Sequence, residues 1–431
     1  MTLDDALEAL GCLDYERRLA ATELLRGLGA EAVEPLCAAV AEGAVERRRH
    51  AAQILGEIAD ARAVPALLGA LAAGDRFLQQ AAARALGAIR HPDAVPGLCA
   101  ALGGPDPGTR WSAVTALGAI GEPSAVPALA ARLDDPDPLL RREVVRALGR
   151  LGPAALDPLI DAMEQQPVDL RVETIAALGK IGDPRAVPRL ARTLEHGAAE
   201  LRREAAKALG EIGEATALPV LGRALRDPDA GVRRHAAVAL GRLGSPRAAP
   251  ALCRALEDPD SQVRVNAGTA LAELGPGAAP ALAQIFAGGS PEAVWRAGEL
   301  LRKIGADALP GLADLIESSP TEVRLRSLEL LLGFVEQDPD PRLRSILPLL
   351  RSLLGRRYFE RAEVTRTVEL AITVIESVTA SLKDLPLPSA AAPETTADLP
   401  RPASAPPERA ESLPITADLQ GPGTEKRPLS G

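Results

Sequence analysis

What this chain has least of narrows its reading first. Aromatic residues make up 2% of its 431 residues, namely two Trp, two Tyr and four Phe. Any core must therefore be filled with Leu, Ile, Val and Ala, a palette that favours helix over sheet. No apolar run approaches the ~20 residues that cross a bilayer, and the acidic start Met1-Thr2-Leu3-Asp4-Asp5 has no basic leader stretch, which predicts a soluble, cytoplasmic chain with no membrane partner. The four cysteines, Cys12, Cys37, Cys99 and Cys253, are far apart and none forms a Cys-x-x-Cys pair, so they read as reduced small hydrophobes. Lysine is scarce too: only five of the 49 basic residues are Lys, a bias associated with high-GC bacterial genomes. The net charge is -9 and the pI about 5.3. That balance disfavours a generic binder of nucleic acid or anionic membrane.

What is present is a repeat, and a fixed period of this size decides the fold before any residue-level reading. Prolines recur at Pro35, Pro65, Pro96, Pro127, Pro158, Pro188, Pro219, Pro250, Pro280 and Pro310, with every gap 30 or 31 residues. A second register runs Arg18, Arg48, Gln79, Arg110, Arg141, Arg171, Arg202, Arg233, Arg264, Val294 and Arg324. Seven residues beyond each member stands a leucine, from Leu25 to Leu331, without exception. Ten beyond stands Leu or Ile, until Phe334 closes the series. Positions three and six beyond are small or aliphatic, and offsets 3, 6, 7 and 10 fall on one side of a 3.6-residue helix. Each repeat thus predicts a second helix with one buried stripe, preceded by a first helix that has the proline near its start, where an amide has no acceptor to lose.

The connections carry their own signals. Asp14, Asp75, Asp106, Asp137, Asp229 and Asp260 lie four residues before the register, where a carboxylate caps the second helix. The second helices close on Gly-x-x-Gly, as in Gly118…Gly121, Gly149…Gly152 and Gly210…Gly213. The terminal glycine suits a left-handed stop, and the earlier one lets neighbouring helices approach. Lacking a preceding strand and a Lys-Ser/Thr, these pairs are not a phosphate loop.

On these strings the chain resembles a known family. Ala-Leu-Gly-Arg-Leu-Gly at 147–152 and Ala-Leu-Gly-Glu-Ile-Gly at 208–213, followed by Ala-Val-Pro-x-Leu as at 186–190, are similar to the short bacterial HEAT-like repeat named after phycobilisome (PBS) lyases. The resemblance implies an all-α, right-handed α-solenoid of about 12 antiparallel helix pairs. It covers residues 1–335, about 11 repeats of 30–31 residues; a longer helix pair over 336–382 is expected to close the array. Residues 383–431 hold ten prolines and no aromatic, a composition expected to stay disordered. Within that tail Asp384-Leu385, Asp398-Leu399 and Asp418-Leu419 recur, by chance in a biased segment or as a docking motif.

One repeat cannot bury its own apolar face, so stacking must supply the core, and a stack offers an extended surface rather than one enclosed pocket. The register arginines read as a ladder to turn aspartates, a pattern that the resemblance also implies. In this family the second helices line the concave face. Their outward positions gather Arg142, Arg146, Arg150, Lys180, Arg203, Lys207, Arg234 and Arg242 in the central layers, with Glu273, Glu299 and Glu329 beyond. These basic residues form either a solvated face with pairs such as Glu143–Arg146 and Glu204–Lys207, or a strip for an acidic protein segment. Trp111 and Trp295 share an offset six layers apart and read as separate contact anchors or as partly buried side chains.

Catalytic chemistry is poorly represented. His50 and His235 occupy equivalent positions in distant layers, and His91 and His196 stand apart from them. There is no His-Glu dipeptide of the kind iron-binding HEAT-like hydroxylases use, no zinc spacing, no Ser-His-Asp arrangement and no expected cofactor. The expectation is a monomeric, non-enzymatic scaffold or adaptor for a protein partner. The resemblance keeps open a phycobilin lyase-like chromophore lyase or chaperone and, less so, a HEAT-like DNA-binding protein or glycosylase.

Overall fold

The computed structural model describes residues 1–337, 340–355 and 362–380. The expected tail over 383–431, with its recurring Asp-Leu strings, lies outside the described residues. The described residues belong to one compact unit, Met1–Asp384. They are α-helical with short 3-10 turns, in twelve successive pairs.

The first helices are α1 (Leu3–Ala9), α3 (Val33–Ala41), α5 (Val64–Leu71), α7 (Val95–Ala101), α9 (Val126–Ala130), α11 (Leu156–Gln165), α13 (Val187–His196), α15 (Leu218–Ala224), α17 (Ala249–Ala255), α19 (Ala279–Gly288), α21 (Leu309–Ser318) and α23 (Leu347–Gly355). The second helices are α2 (Tyr15–Leu28), α4 (Val45–Ile58), α6 (Arg76–Ile89), α8 (Pro107–Ile120), α10 (Pro138–Arg150), α12 (Val168–Ile181), α14 (Ala199–Ile212), α16 (Ala230–Arg242), α18 (Ser261–Leu274), α20 (Pro291–Ile304), α22 (Thr321–Gln337) and α24 (Ala362–Ala380). Each helix packs against its pair, and each second helix against the second helix of the next layer, which makes the unit an α-solenoid.

The local signals resolve as chemistry predicts. The carboxylates of Asp14, Asp75, Asp106, Asp137, Asp229 and Asp260 each accept a hydrogen bond from the first backbone amides of a second helix. From the second layer on, a 3-10 turn precedes each first helix, and the repeated proline follows inside the opening turn. Second helices stop on left-handed Gly121, Gly182 and Gly213. In two early layers that place is taken by Ala59 and Arg90, at φ 60° and 55°, a conformation that costs a side-chain-bearing residue free energy.

The core is a continuous ribbon of the repeated leucines, with Leu25, Leu55, Leu86, Leu117, Leu178, Leu209, Leu271, Leu301 and Leu331 fully buried. In the last pair, Val364, Val368, Ala371 and Ile375 of α24 are buried on one face, and the helix packs on α22 and α23. Cys253 is buried and the other cysteines half-buried. Burial pushes the Cys253 thiol up to about 12, leaving it protonated and unreactive.

Candidate protein-binding surface

The surface formed by the second helices is set by two columns of residues. The first lies eight positions past the register and holds Gly56, Gly87, Gly118, Gly149, Gly179, Gly210 and Gly241. Each faces an alanine of the next second helix. A methyl group on Gly56 would sit 2.9 Å from Ala85 Cβ, and one on Gly210 2.7 Å from Ala239 Cβ. The glycines therefore permit backbone approach that no other residue allows. At α18 the column changes: its next members are Ala272, which is exposed, then Arg302 and Leu332.

The second column lies one past the register and carries much of the polar stitching. Gln80 donates from Nε2 to the Asp106 carboxylate at 2.9 Å. Arg142 reaches Asp169 at 3.1 Å and Glu173 at 3.3 Å. Arg203 holds Asp229 through two hydrogen bonds of 2.7 and 2.5 Å, and Arg234 grips Asp260 in the same two-pronged way. Asp106, Asp229 and Asp260 also cap the next helix, so one carboxylate closes a helix end and ties two layers. The guanidinium of Arg203 first, with the capping amides, holds Asp229 well below the usual carboxylate range. Arg234 does the same for Asp260.

The expected register ladder takes a more specific form. Arg141, Arg202, Arg233 and Arg264 each donate to carbonyls of the turn before their own helix. Arg202 and Arg233 also pair with Asp227 and Asp258 of the following layer, at 2.7 and 2.8 Å. Two parallel lines of ion pairs thus join α14 through α18.

The predicted basic strip is mostly engaged within the chain. Arg142, Arg203 and Arg234 are interlayer ties. Arg146 and Arg150 lie 3.7 and 3.6 Å from the buried Glu143, and Lys207 pairs with Glu204 at 2.9 Å. Lys180 and Arg242 have no ion pair with any described residue. The structure brings Arg146, Arg150 and Lys180 together around a 330 Å³ cleft between α10 and α12, and leaves Arg242 on the more distant α16.

The scarce aromatics are conspicuous on this face. Phe77 is 46% exposed, Trp111 37% and Trp295 65%. Phe77 walls a 670 Å³ groove between α4 and α6, over a floor of Gly56, Ala81 and Ala85, with Arg49 and Arg84 at its edge. Trp295 lines a 430 Å³ groove between α18 and α20 with Val265, Gly268 and Thr269. Neither groove is apparent from the sequence reading. The α18–α20 groove has one sequence signal, the change of the glycine column at Ala272. Among the described residues no three His, Cys, Asp or Glu side chains gather as a metal site would need, and no helix is long and apolar enough to cross a membrane.

An array of stacked antiparallel helix pairs with two-pronged interlayer ties defines an α-solenoid repeat protein. Residues 72–141, 126–200 and 192–272 match HEAT repeats, and residues 47–73 match the PBS lyase HEAT-like repeat. The chain is a HEAT-like repeat protein. No curated protein sequence matches it. Among solved structures it is similar to the karyopherin Kap121p bound to the extreme C-terminus of the protein phosphatase Cdc14p, with TM-score 0.52 and 15% identity, covering 88% of this chain and 50% of that one. It is also similar to Kap95p, whose binding induces the switch loops of RanGDP to adopt the GTP-bound conformation, with TM-score 0.52, 15% identity, and 87% and 62% of the two chains covered. A further structure of yeast importin-beta (Kap95p) has TM-score 0.50 and 14% identity, over 87% of this chain and 62% of that one. At that identity the likeness is one of fold, and the chain spans between half and three-fifths of those proteins.

Proposed function

We propose that the chain is a non-enzymatic cytoplasmic scaffold or adaptor, monomeric on its own, that holds a protein partner along the face of its second helices. The observation that carries this reading is the placement of aromatics. A chain with so few of them buries Phe286 and Phe334 in its core but leaves Phe77, Trp111 and Trp295 exposed on this one face. Trp and other large aromatics are the residue types that anchor protein interfaces, and their solvation is otherwise an uncompensated cost. Solenoids of the same fold that bind a protein phosphatase C-terminus or RanGDP support it by analogy.

The interlayer pairs refine which charges are available. Arg142, Arg203 and Arg234 are committed to holding layers together, so reversing them would unstitch the stack as well as alter any interface. Within the basic strip, Lys180 and Arg242 are the cations that can meet an acidic partner segment without breaking an ion pair to a described residue. Affinity capture from the native cell tests this, comparing wild type with a chain carrying Trp111→Ala, Trp295→Ala, Lys180→Glu and Arg242→Glu. The variant is expected to keep its helical circular dichroism and lose its partner. A folded variant that retains every partner would sink the proposal.

A second reading, handling of a bilin chromophore, is favoured by one observation: the PBS lyase HEAT-like match over 47–73 supplies one wall of the α4–α6 groove. Bilin absorbance after co-expression with an apo-phycobiliprotein tests it, and its absence would dismiss it.

A further inference from the structure

At the groove between α18 and α20 neither the glycine nor the arginine tie of the preceding layers is present. From Gly56 to Gly241 each second helix lets the next approach through a glycine, but at α18 the equivalent residue is the exposed Ala272. At α14 and α16 an arginine ties to the carboxylate capping the next helix, but at α18 the tie residue is Val265, 48% exposed, and the next cap is Ser290. The helices therefore part, and what links them across the gap is the Arg264–Glu292 pair at its edge, at 3.3 Å. What lines it is Val265, Gly268, Thr269, Ala272 and Trp295, with Lys303 at the end. An apolar cleft with a tryptophan left 65% exposed is costly for a folded chain unless something covers it.

The charges around it select what can do so. Arg264 and Arg296 share Glu292, at 3.3 and 2.8 Å, and Arg302 is paired with Glu299. Every arginine of the rim is thus ion-paired within the chain. Lys303 is exposed and has no ion pair with any described residue. A neutral or basic segment covering the groove would strip water from that ammonium without return, whereas a carboxylate would replace the water with a charge-assisted hydrogen bond.

We propose that this groove docks a protein segment bearing one large apolar side chain and, within a few residues of it, an Asp or Glu. The apolar side chain packs on Trp295 and Val265 over the small floor of Gly268 and Thr269, and the carboxylate meets Lys303 Nζ. The proposal rests on the protein-binding reading above and names the chemistry of its partner at one place.

The test uses the full chain and an array of synthetic twelve-residue peptides. Each has one Leu or Phe on an Ala/Ser background, with Asp, Ser or Lys placed one to four residues away. Array positives are then titrated in solution against the Trp111→Phe chain, whose emission reports Trp295 alone. Peptides with both the anchor and Asp are expected to bind and to shift Trp295 emission to shorter wavelength. Trp295→Ala should weaken them at least about tenfold, and Lys303→Glu should turn the preference from Asp to Lys. Because Trp295 and Lys303 are exposed, neither change threatens folding. Binding indifferent to both substitutions, or no discrimination between Asp and Lys peptides, overturns the proposal. Peptides that respond to Lys180→Glu or Trp111→Ala but not Trp295→Ala also overturn it, yet leave the scaffold reading standing; that reading fails only in the capture experiment.

Discussion

Layers two to eight and layers nine to eleven are built from the same register and the same leucine ribbon, yet they make different surfaces. In the former a glycine column brings second helices to backbone contact, and arginine or glutamine ties join several of them to the next layer's cap. In the latter the glycines become Ala272, Arg302 and Leu332, and the tie residues become Val265, Trp295 and Leu325. The core repeat alone therefore fixes stacking but not spacing. Close approach is set by one small residue per layer on the face of the second helices; the Trp295 groove lies where that residue has become Ala272, whereas the Phe77 groove sits over an intact Gly56.

The largest expected effect of breaking this contrast is at Gly210. Gly210→Leu drives a side chain into Ala239 and should cost about 2–3 kcal/mol in urea unfolding, whereas Ala272→Leu at the equivalent exposed place should stay within about 0.5 kcal/mol. Equal costs would mean that the glycine column is incidental. Hydrogen exchange sharpens the comparison without mutation. Amides of α20 and α22 should exchange at least about tenfold faster than those of α14 and α16, because local opening there breaks fewer interlayer contacts.

Acid should act on the tied layers first. Asp229 and Asp260 have folded-state values below their ordinary 3.8. Their contribution is thus present above that value and is lost as pH falls below it. Asp229→Asn with Asp260→Asn should lower the urea midpoint at pH 6 and flatten its decline between pH 4 and 2.5. An unchanged acid slope would show that the pairs carry no stability. The smallest effect is at the strained stops: Arg90→Gly should raise stability by about 1 kcal/mol, since left-handed backbone is free of steric penalty only for glycine.

Much of this was legible in the chain before folding. The period, the six capping aspartates, the buried leucines and the close-approach role of the earlier glycine all follow from local spacing and side-chain chemistry. The fate of the arginines was only half legible. Arg203 and Arg234 look like a free basic strip along their own helices, but their partners Asp229 and Asp260 lie 26 residues on. They meet only when consecutive layers stack. The groove was not legible at all, because a cleft is the absence of contact, and only the joint change at Val265 and Ala272 signals it. Trp295, read as an anchor or a half-buried side chain, proves to be mostly exposed.

The central claim, that the second-helix face receives a protein, is tested most directly by a photo-crosslinking residue placed in the native cell at position 295, and separately at position 254 on first helix α17. Covalent protein adducts from 295 and none from 254 are the predicted result. Adducts from 254 alone would contradict it.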